Sequence, residues 1–256
     1  MDLGLTEDQE ILKTTAASFV QQEFPKETII ALEATPTGVT PELLRKVAAL
    51  GWFGIVIPED YGGEGRSFTD AAVLFEELGR GPVSGPYFSS GVLGALIVLH
   101  GGTEEQKRTI LPQVARGERL LSVAVTEPHY GWRPETVQMQ ASRQGNTYTL
   151  NGTKLFVHDA QIATDLICAV RTGPPHNGSS SGITLLTLPA QTPGVTIRHL
   201  TGWMGQVDEV RFTNVQVPAS AMLGDAEGQG WEALEAAAMQ AIPVLCAYKV
   251  GSCQSV

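Results

Sequence analysis

Apolar residues recur at helical spacing over the first 119 positions and then give way to the patterning of strands. Leu12, Ala16, Phe19 and Val20 mark one helical face, spaced three or four apart as a buried stripe requires. Thr6 stands where its hydroxyl caps that helix, and Gln9, three residues on, completes a capping box. Thr40-Pro41-Glu42 repeats the signal with proline at the first helical position, ahead of Leu43, Leu44, Val47 and Leu50, and Gly51 supplies the stop. Ser67 and Asp70 open a third helix carrying Ala71, Leu74, Phe75 and Leu78, and Thr103 with Gln106 opens a fourth that reaches Val114. The stretch Tyr87–Leu99 is apolar almost all round, which predicts a buried central helix.

Between 120 and 220 the helical period disappears. Leu121–Thr126, Val137–Ser142, Thr147–Leu150, Thr153–Val157, Asp165–Arg171, Ile183–Leu188, Val195–His199 and Glu209–Val217 are short and rich in β-branched residues, and each predicts a strand. Asn151-Gly152 between two of them predicts a hairpin turn. Short strands at this spacing predict a barrel or a sandwich. Pro174–Gly182 is polar and reads as a hairpin tip. From Gly224 the helical period returns with Trp231, Leu234, Ala238 and Val244. The predicted organisation is a helical domain over 1–119, a β domain over 120–224, and the start of a further helical domain over 225–256.

Composition narrows the function classes. The 256 residues carry 27 acidic and 17 basic side chains, a net charge of −10, with 43% hydrophobic and 17% charged residues. That is apolar enough for a packed core, and the acidic balance argues against a nucleic-acid partner. Cys168, Cys246 and Cys253 are odd in number and lack CxxC spacing. A disulfide framework and a zinc site are therefore not expected, and a reducing, cytoplasmic setting is. The N-terminus is acidic and polar, unlike a signal peptide. The longest apolar run, Gly91–Leu99, is shorter than the roughly 20 residues a bilayer span takes, so no membrane span is expected.

Local chemistry is sparse. The chain contains no dinucleotide GxGxxG after a strand, no Walker loop, no HExxH and no GxSxG. Gly62, Gly63 and Gly65 lack an accompanying lysine and read as a turn. The histidines are scattered and no metal site is expected. Glu127 and Asp159 form an acid pair only if the strands bring them together, and Trp132, Trp203 and Trp231 read as core or interface aromatics.

The order of short motifs says more. Ile57-Pro-Glu-Asp-Tyr-Gly-Gly63, Glu76-Glu-Leu-Gly-Arg80, Gly102-Thr-Glu-Glu-Gln-Lys107 with Leu111-Pro112 and Gly117-Glu118, Ala124-Val-Thr-Glu-Pro128, Asn151-Gly-Thr-Lys154, and Phe212 through Gly230 with its Val-Gln-Val-Pro and Leu-Gly steps follow one another across residues 5–230. This series resembles the acyl-CoA dehydrogenase family, motif by motif and in order. The resemblance implies an N-terminal helical domain, a middle β-barrel and the beginning of a C-terminal four-helix domain. It implies FAD as cofactor and an acyl-CoA thioester as substrate. The reaction implied is α,β-dehydrogenation to a 2-enoyl-CoA, with hydride passing to flavin N5. Electron transfer flavoprotein is the implied acceptor and a homo- or hetero-oligomer the implied assembly. The family's glutamate base would lie beyond residue 256, so no turnover is expected from these residues alone.

Carried over residue by residue, Val125 and Thr126 match the strand that meets the flavin pyrimidine edge. Phe156 stands where the family usually has Trp against the ring, and His158 replaces a Thr that bonds near N5. After the Thr-Glu-Pro motif the family continues Gly-Ala-Gly-Ser-Asp; here the residues are His129-Tyr-Gly-Trp-Arg133. Gly131 is kept, Trp132 takes the Ser position, where it either stacks or blocks, and Arg133 takes the Asp position, where its guanidinium suits a phosphate. Tyr87 and Ser90 on the apolar helix join Arg133 as expected substrate contacts. Two further departures are Gln206-Val-Asp-Glu209 after Trp203-Met-Gly205, and Ile242 before Pro243 where the family commonly has Arg. These departures keep open a second reading, a non-catalytic or partner-dependent subunit with a degenerate flavin cleft. An apolar patch on the last helix, at Leu234, Val244 and Leu245, is expected to seek another segment or chain.

Overall fold

Every hydroxyl singled out as a cap starts a helix. The computed structural model describes residues 4–174, 180–201 and 206–255. Thr6 accepts from the Gln9 amide at the start of α1 (Glu7–Glu23). A short α2 (Lys26–Glu33) follows, and Thr40 caps α3 (Pro41–Ala49) through the Leu43 amide. Ser67 and Asp70 close a capping box at α4 (Phe68–Arg80). The central apolar segment is a π-helical turn, Ser89–Gly94, continued by α5 (Ala95–Gly101). Thr103 and Gln106 begin α6 (Glu104–Ala115). The last helix, α7 (Gly230–Gln254), lies along α4 and α5.

The crossing of α4 and α7 depends on two glycines. A Cβ at Gly79 would run into the Tyr248 carbonyl, and one at Gly251 into the Glu76 carbonyl. Backbone therefore meets backbone, an approach only glycine permits. At 25 residues α7 is long and apolar enough to reach across a bilayer; Trp231, Leu234, Ala237, Ala241 and Val244 bury one face of it in the helical core. Leu234 and Val244, expected on an open patch, are thus core residues, because the stripe that meets α4 and α5 runs through them. The apolar side chains left in solvent are Met239 (66% exposed), Ile242 (49%), Leu245 (38%) and Val250 (48%).

The β region forms two sheets. Strands β1 (Leu121–Ala124), β2 (Ala141–Gln144), β3 (Thr147–His158), β4 (Asp165–Arg171), β5 (Ile183–Pro189), β6 (Val195–Leu200) and β7 (Val207–Pro218) sort into a three-stranded sheet, β1-β4-β5, and a four-stranded antiparallel sheet, β2-β3-β7-β6. Tyr148, Leu150, Leu166, Val170, Leu186 and Phe212 are among the side chains packed between them. One isolated bridge, Gln140 with Arg171, joins the sheets, and no continuous ladder closes a barrel among the described residues.

Asn151-Gly152 does not turn the chain. β3 runs straight through it, and the hairpin lies at Gly145-Asn146, where Gln144 pairs with Thr147 and Gly145 has φ 58°. Gly152 is needed for space: a Cβ there would come within 2.7 Å of the Met139 side chain. Of the predicted polar loop, residues 175–179 lie outside the described residues, as do Trp203–Gly205.

Candidate functional site

A cleft of about 230 Å³ opens where the helices meet the end of β1 and β3. Its strand wall is built from Val125, Thr126, Leu155, Phe156 and His158, and its helical wall includes Phe75, Leu78, Phe88, Leu245 and Tyr248.

The strand wall is held by a buried ion pair. The Lys154 ammonium, fully buried on β3, donates to Glu127 Oε1 at 2.7 Å and to the Val125 carbonyl at 3.1 Å. Glu127 in turn accepts from the Gln138 and Met139 amides at 3.0 Å each. The Asn-Gly-Thr-Lys and Thr-Glu-Pro motifs are therefore one structural unit. Glu127 and Asp159 do not form the acid pair considered from the sequence: Glu127 is paired with Lys154, and Asp159 bonds Ser89. The Leu155 amide donates to the Thr126 carbonyl at 2.8 Å, which pins the strand's end, while the Thr126 hydroxyl has no partner among the described residues.

Between Lys154 and Val157 the register of β3 against β7 slips by one residue. This bulge puts Phe156 at φ 53° and turns its ring outward, 49% exposed, with Tyr130 stacked on it at 6.1 Å between centroids. A bulky residue in the left-handed region is strained by about 1–3 kcal/mol, and such strain gathers at functional sites. Trp132, 43% exposed, lines the cleft and does not plug it.

At the inner end, Asp159 is buried with φ 58° and accepts the Ser89 hydroxyl. Burial pushes its carboxyl up to about 6; the Ser89 hydrogen bond opposes the shift and the Asp208 charge adds to it. Tyr248 donates to the Val83 carbonyl at 3.1 Å, and burial, with Asp159 nearby, raises its phenol to about 12. The Tyr87 hydroxyl is buried without a partner among the described residues. His158 is held below its ordinary pKa by the surrounding cleft walls first and by the Lys249 ammonium second, with Asp208 opposing.

The structure thus gathers Val125, Thr126, Trp132, Phe156, His158 and Tyr87 on one cleft, and leaves three expected residues off it. Ser90 is fully buried and its hydroxyl accepts the Leu121 amide at 2.9 Å, so it clamps the π-helical turn to β1. The neighbouring Ser89 faces the cleft in its place. The π-helical turn sets which serine points where, and its extra residue per turn is invisible to a 3.6-residue count. Arg133 lies in solvent beside Glu135 at 3.6 Å, and Gly131, at φ 118°, shapes the turn that carries Trp132. Lys154 is the functional side chain that residue patterning missed, and Asp159, a candidate only as the acid partner of Glu127, bonds Ser89 instead. No group of three metal-ligating side chains occurs among the described residues.

Comparison with known proteins agrees with this layout. Residues 6–118 match the family described as acyl-CoA dehydrogenase, N-terminal domain, and residues 122–216 its middle domain. A Bacillus subtilis (strain 168) protein described as "Probable acyl-CoA dehydrogenase YngJ" is 33% identical over 232 residues, covering 88% of this chain and 60% of that protein. The acryloyl-CoA reductase (NADH) of Anaerotignum propionicum is 33% identical over 245 residues, covering 92% and 61%. The chain spans about 60% of the length of these curated relatives. Among solved structures, acyl-CoA dehydrogenase from Geobacillus kaustophilus superimposes with a TM-score of 0.85 at 27% identity, covering 97% of this chain and 66% of that one. The ChsE4-ChsE5 complex from Mycobacterium tuberculosis gives 0.81 at 26%, covering 94% and 61%. The FAD complex of PigA, 24% identical with a TM-score of 0.85 and covering all of this chain and 67% of that one, shares the fold.

Proposed function

Because the chain belongs to the acyl-CoA dehydrogenase family through its N-terminal and middle domains, we propose that its cleft holds the isoalloxazine of FAD along the strand wall and the acyl part of a CoA thioester along the helical wall, for α,β-dehydrogenation. The observation that carries this reading is the pairing of those two walls in one opening. One wall has an outward aromatic ring and an unengaged hydroxyl; the other is largely apolar.

The residues fit a flat, polar-edged ring. Phe156 offers a face, the Thr126 hydroxyl is free to bond a ring edge, and the His158 imidazole stands at the same wall. The chemistry FAD supplies when bound is acceptance of a hydride equivalent. The protein's own share is positional. Lys154 fixes the Val125 carbonyl, the Phe156 bulge presents the ring, and the apolar helical wall excludes water from the acyl group. In this reading the carboxylate that takes the α-proton comes from outside these 256 residues, since Asp159 is committed to Ser89 at the cleft's inner end.

Purified protein mixed with FAD and desalted is expected to stay yellow. Thr126→Val is expected to weaken flavin retention by about 1 kcal/mol, roughly fivefold, through loss of one hydrogen bond. Protein that emerges colourless from saturating FAD rules the reading out, and unchanged affinity in the variant removes Thr126 from the site.

The exposed apolar side chains Met239, Ile242 and Val250 on α7 favour a second reading, a subunit whose site is completed by a partner chain. Turnover by the purified protein on its own would exclude it.

A further inference from the structure

The cleft is unusually rich in rings. Six of its 21 lining residues are aromatic, in a chain that is 7% aromatic. Phe156 belongs to the strand wall assigned above to the flavin, and Trp132 stands on the turn shaped by Gly131. The helical wall, which the acyl group would meet, has its own set: Phe88 and Tyr248 are partly exposed to the opening, with Phe75 (2% exposed) and Tyr87 (3%) packed behind them. These rings are fixed in place. Phe75 and Phe88 meet edge to face at 6.2 Å and 75°, Tyr87 packs on Phe53 at 5.4 Å, and the Tyr248 hydroxyl is tied to Val83.

A wall of this kind discriminates by shape. Aromatic partners gain from offset or edge-on contact beyond simple burial. A flexible alkyl chain gains less from the same surface and loses more rotational freedom when it is ordered. We propose that the helical wall selects acyl groups that carry a ring, aryl or alicyclic, over straight alkyl chains of similar size. This rests on the acyl-CoA reading above and names the substrate class for it.

The test is calorimetric titration of the FAD-treated protein with 3-phenylpropionyl-CoA and with octanoyl-CoA, thioesters of similar bulk. The ring-bearing thioester is expected to bind roughly tenfold more tightly, about what two aromatic contacts supply. Phe88→Leu, at a partly exposed wall position, is expected to cut that preference by roughly two- to tenfold. Tyr248→Leu, at the other partly exposed ring, serves as a second variant, and circular dichroism checks that each is folded. Octanoyl-CoA binding as tightly as the ring-bearing thioester overturns the selectivity and leaves the acyl-CoA reading standing. A preference that both leucine variants retain also overturns the proposal, since the wall would not be its source. If neither thioester binds, the acyl-CoA reading fails and the selectivity falls with it.

Discussion

Replacing Lys154 with methionine is expected to cost the fold about 3–5 kcal/mol, the usual loss when one member of a buried ion pair is removed. The geometry leaves little room for relief. Glu127 is 5% exposed, and its remaining partners are the Gln138 and Met139 amides. Two backbone donors help a carboxylate, but they do not replace a cation 2.7 Å away in a dry interior. The Val125 carbonyl loses its donor in the same step. Urea unfolding of the single variant and of Lys154→Met with Glu127→Gln separates the causes. The double variant should recover most of the loss, because the stranded charge has gone. A single-variant loss below about 1 kcal/mol, the range of exposed pairs, would show that water reaches the pair and that the strand wall is not held this way.

Asp159→Asn works in the opposite direction and should stabilise the protein at pH 8 by about 3 kcal/mol. The carboxyl sits at about 6 in the folded protein against an ordinary 3.8, chiefly because burial disfavours its charge. Folding therefore penalises the ionised form. The penalty is absent below about pH 4, grows as pH rises through 6, and is complete above about 7. Asparagine keeps an oxygen to accept the Ser89 hydroxyl and carries no charge to bury, so the variant should gain where the wild type loses and match it in acid. Asp208, also raised by burial, and His158, lowered by it, titrate in both proteins. The difference between the two unfolding curves isolates Asp159. If the two proteins show the same dependence on pH from 4 to 8, the carboxyl is solvated and the inner end of the cleft is wet.

What the sequence disclosed, and what it hid, follows from the range of the interactions. Helix starts were legible because a capping box is complete within four residues: Thr6 with Gln9, Ser67 with Asp70, Thr103 with Gln106. The buried stripe of α7 was half legible. Trp231, Leu234 and Val244 marked its period, but that Leu234 and Val244 face the core was not legible, because the face that meets α4 depends on where two helices cross. Asn151-Gly152 misled because the same dipeptide suits a tight turn and a crowded strand, and only the position of Met139, twelve residues earlier, decides between them. The cleft residues Val125, Thr126, Phe156 and His158 were reached through resemblance and not through any local pattern. Lys154, and the partner of Asp159, escaped notice for a plainer reason: a buried charge is recognisable only beside the partner that keeps it there, and Glu127 and Ser89 are far away in the chain.

The glycine crossing of α4 and α7 bears on how this cleft can change. Phe75 and Leu78 stand on one of those helices, Leu245 and Tyr248 on the other. The gap between them is set by main chain resting on main chain at Gly79 and Gly251. Main chain does not yield as a side chain does, so a bulkier guest cannot gain room by prying the helices apart. New preferences must be written in the side chains that face inward, one substitution at a time, while the frame around them keeps its dimensions.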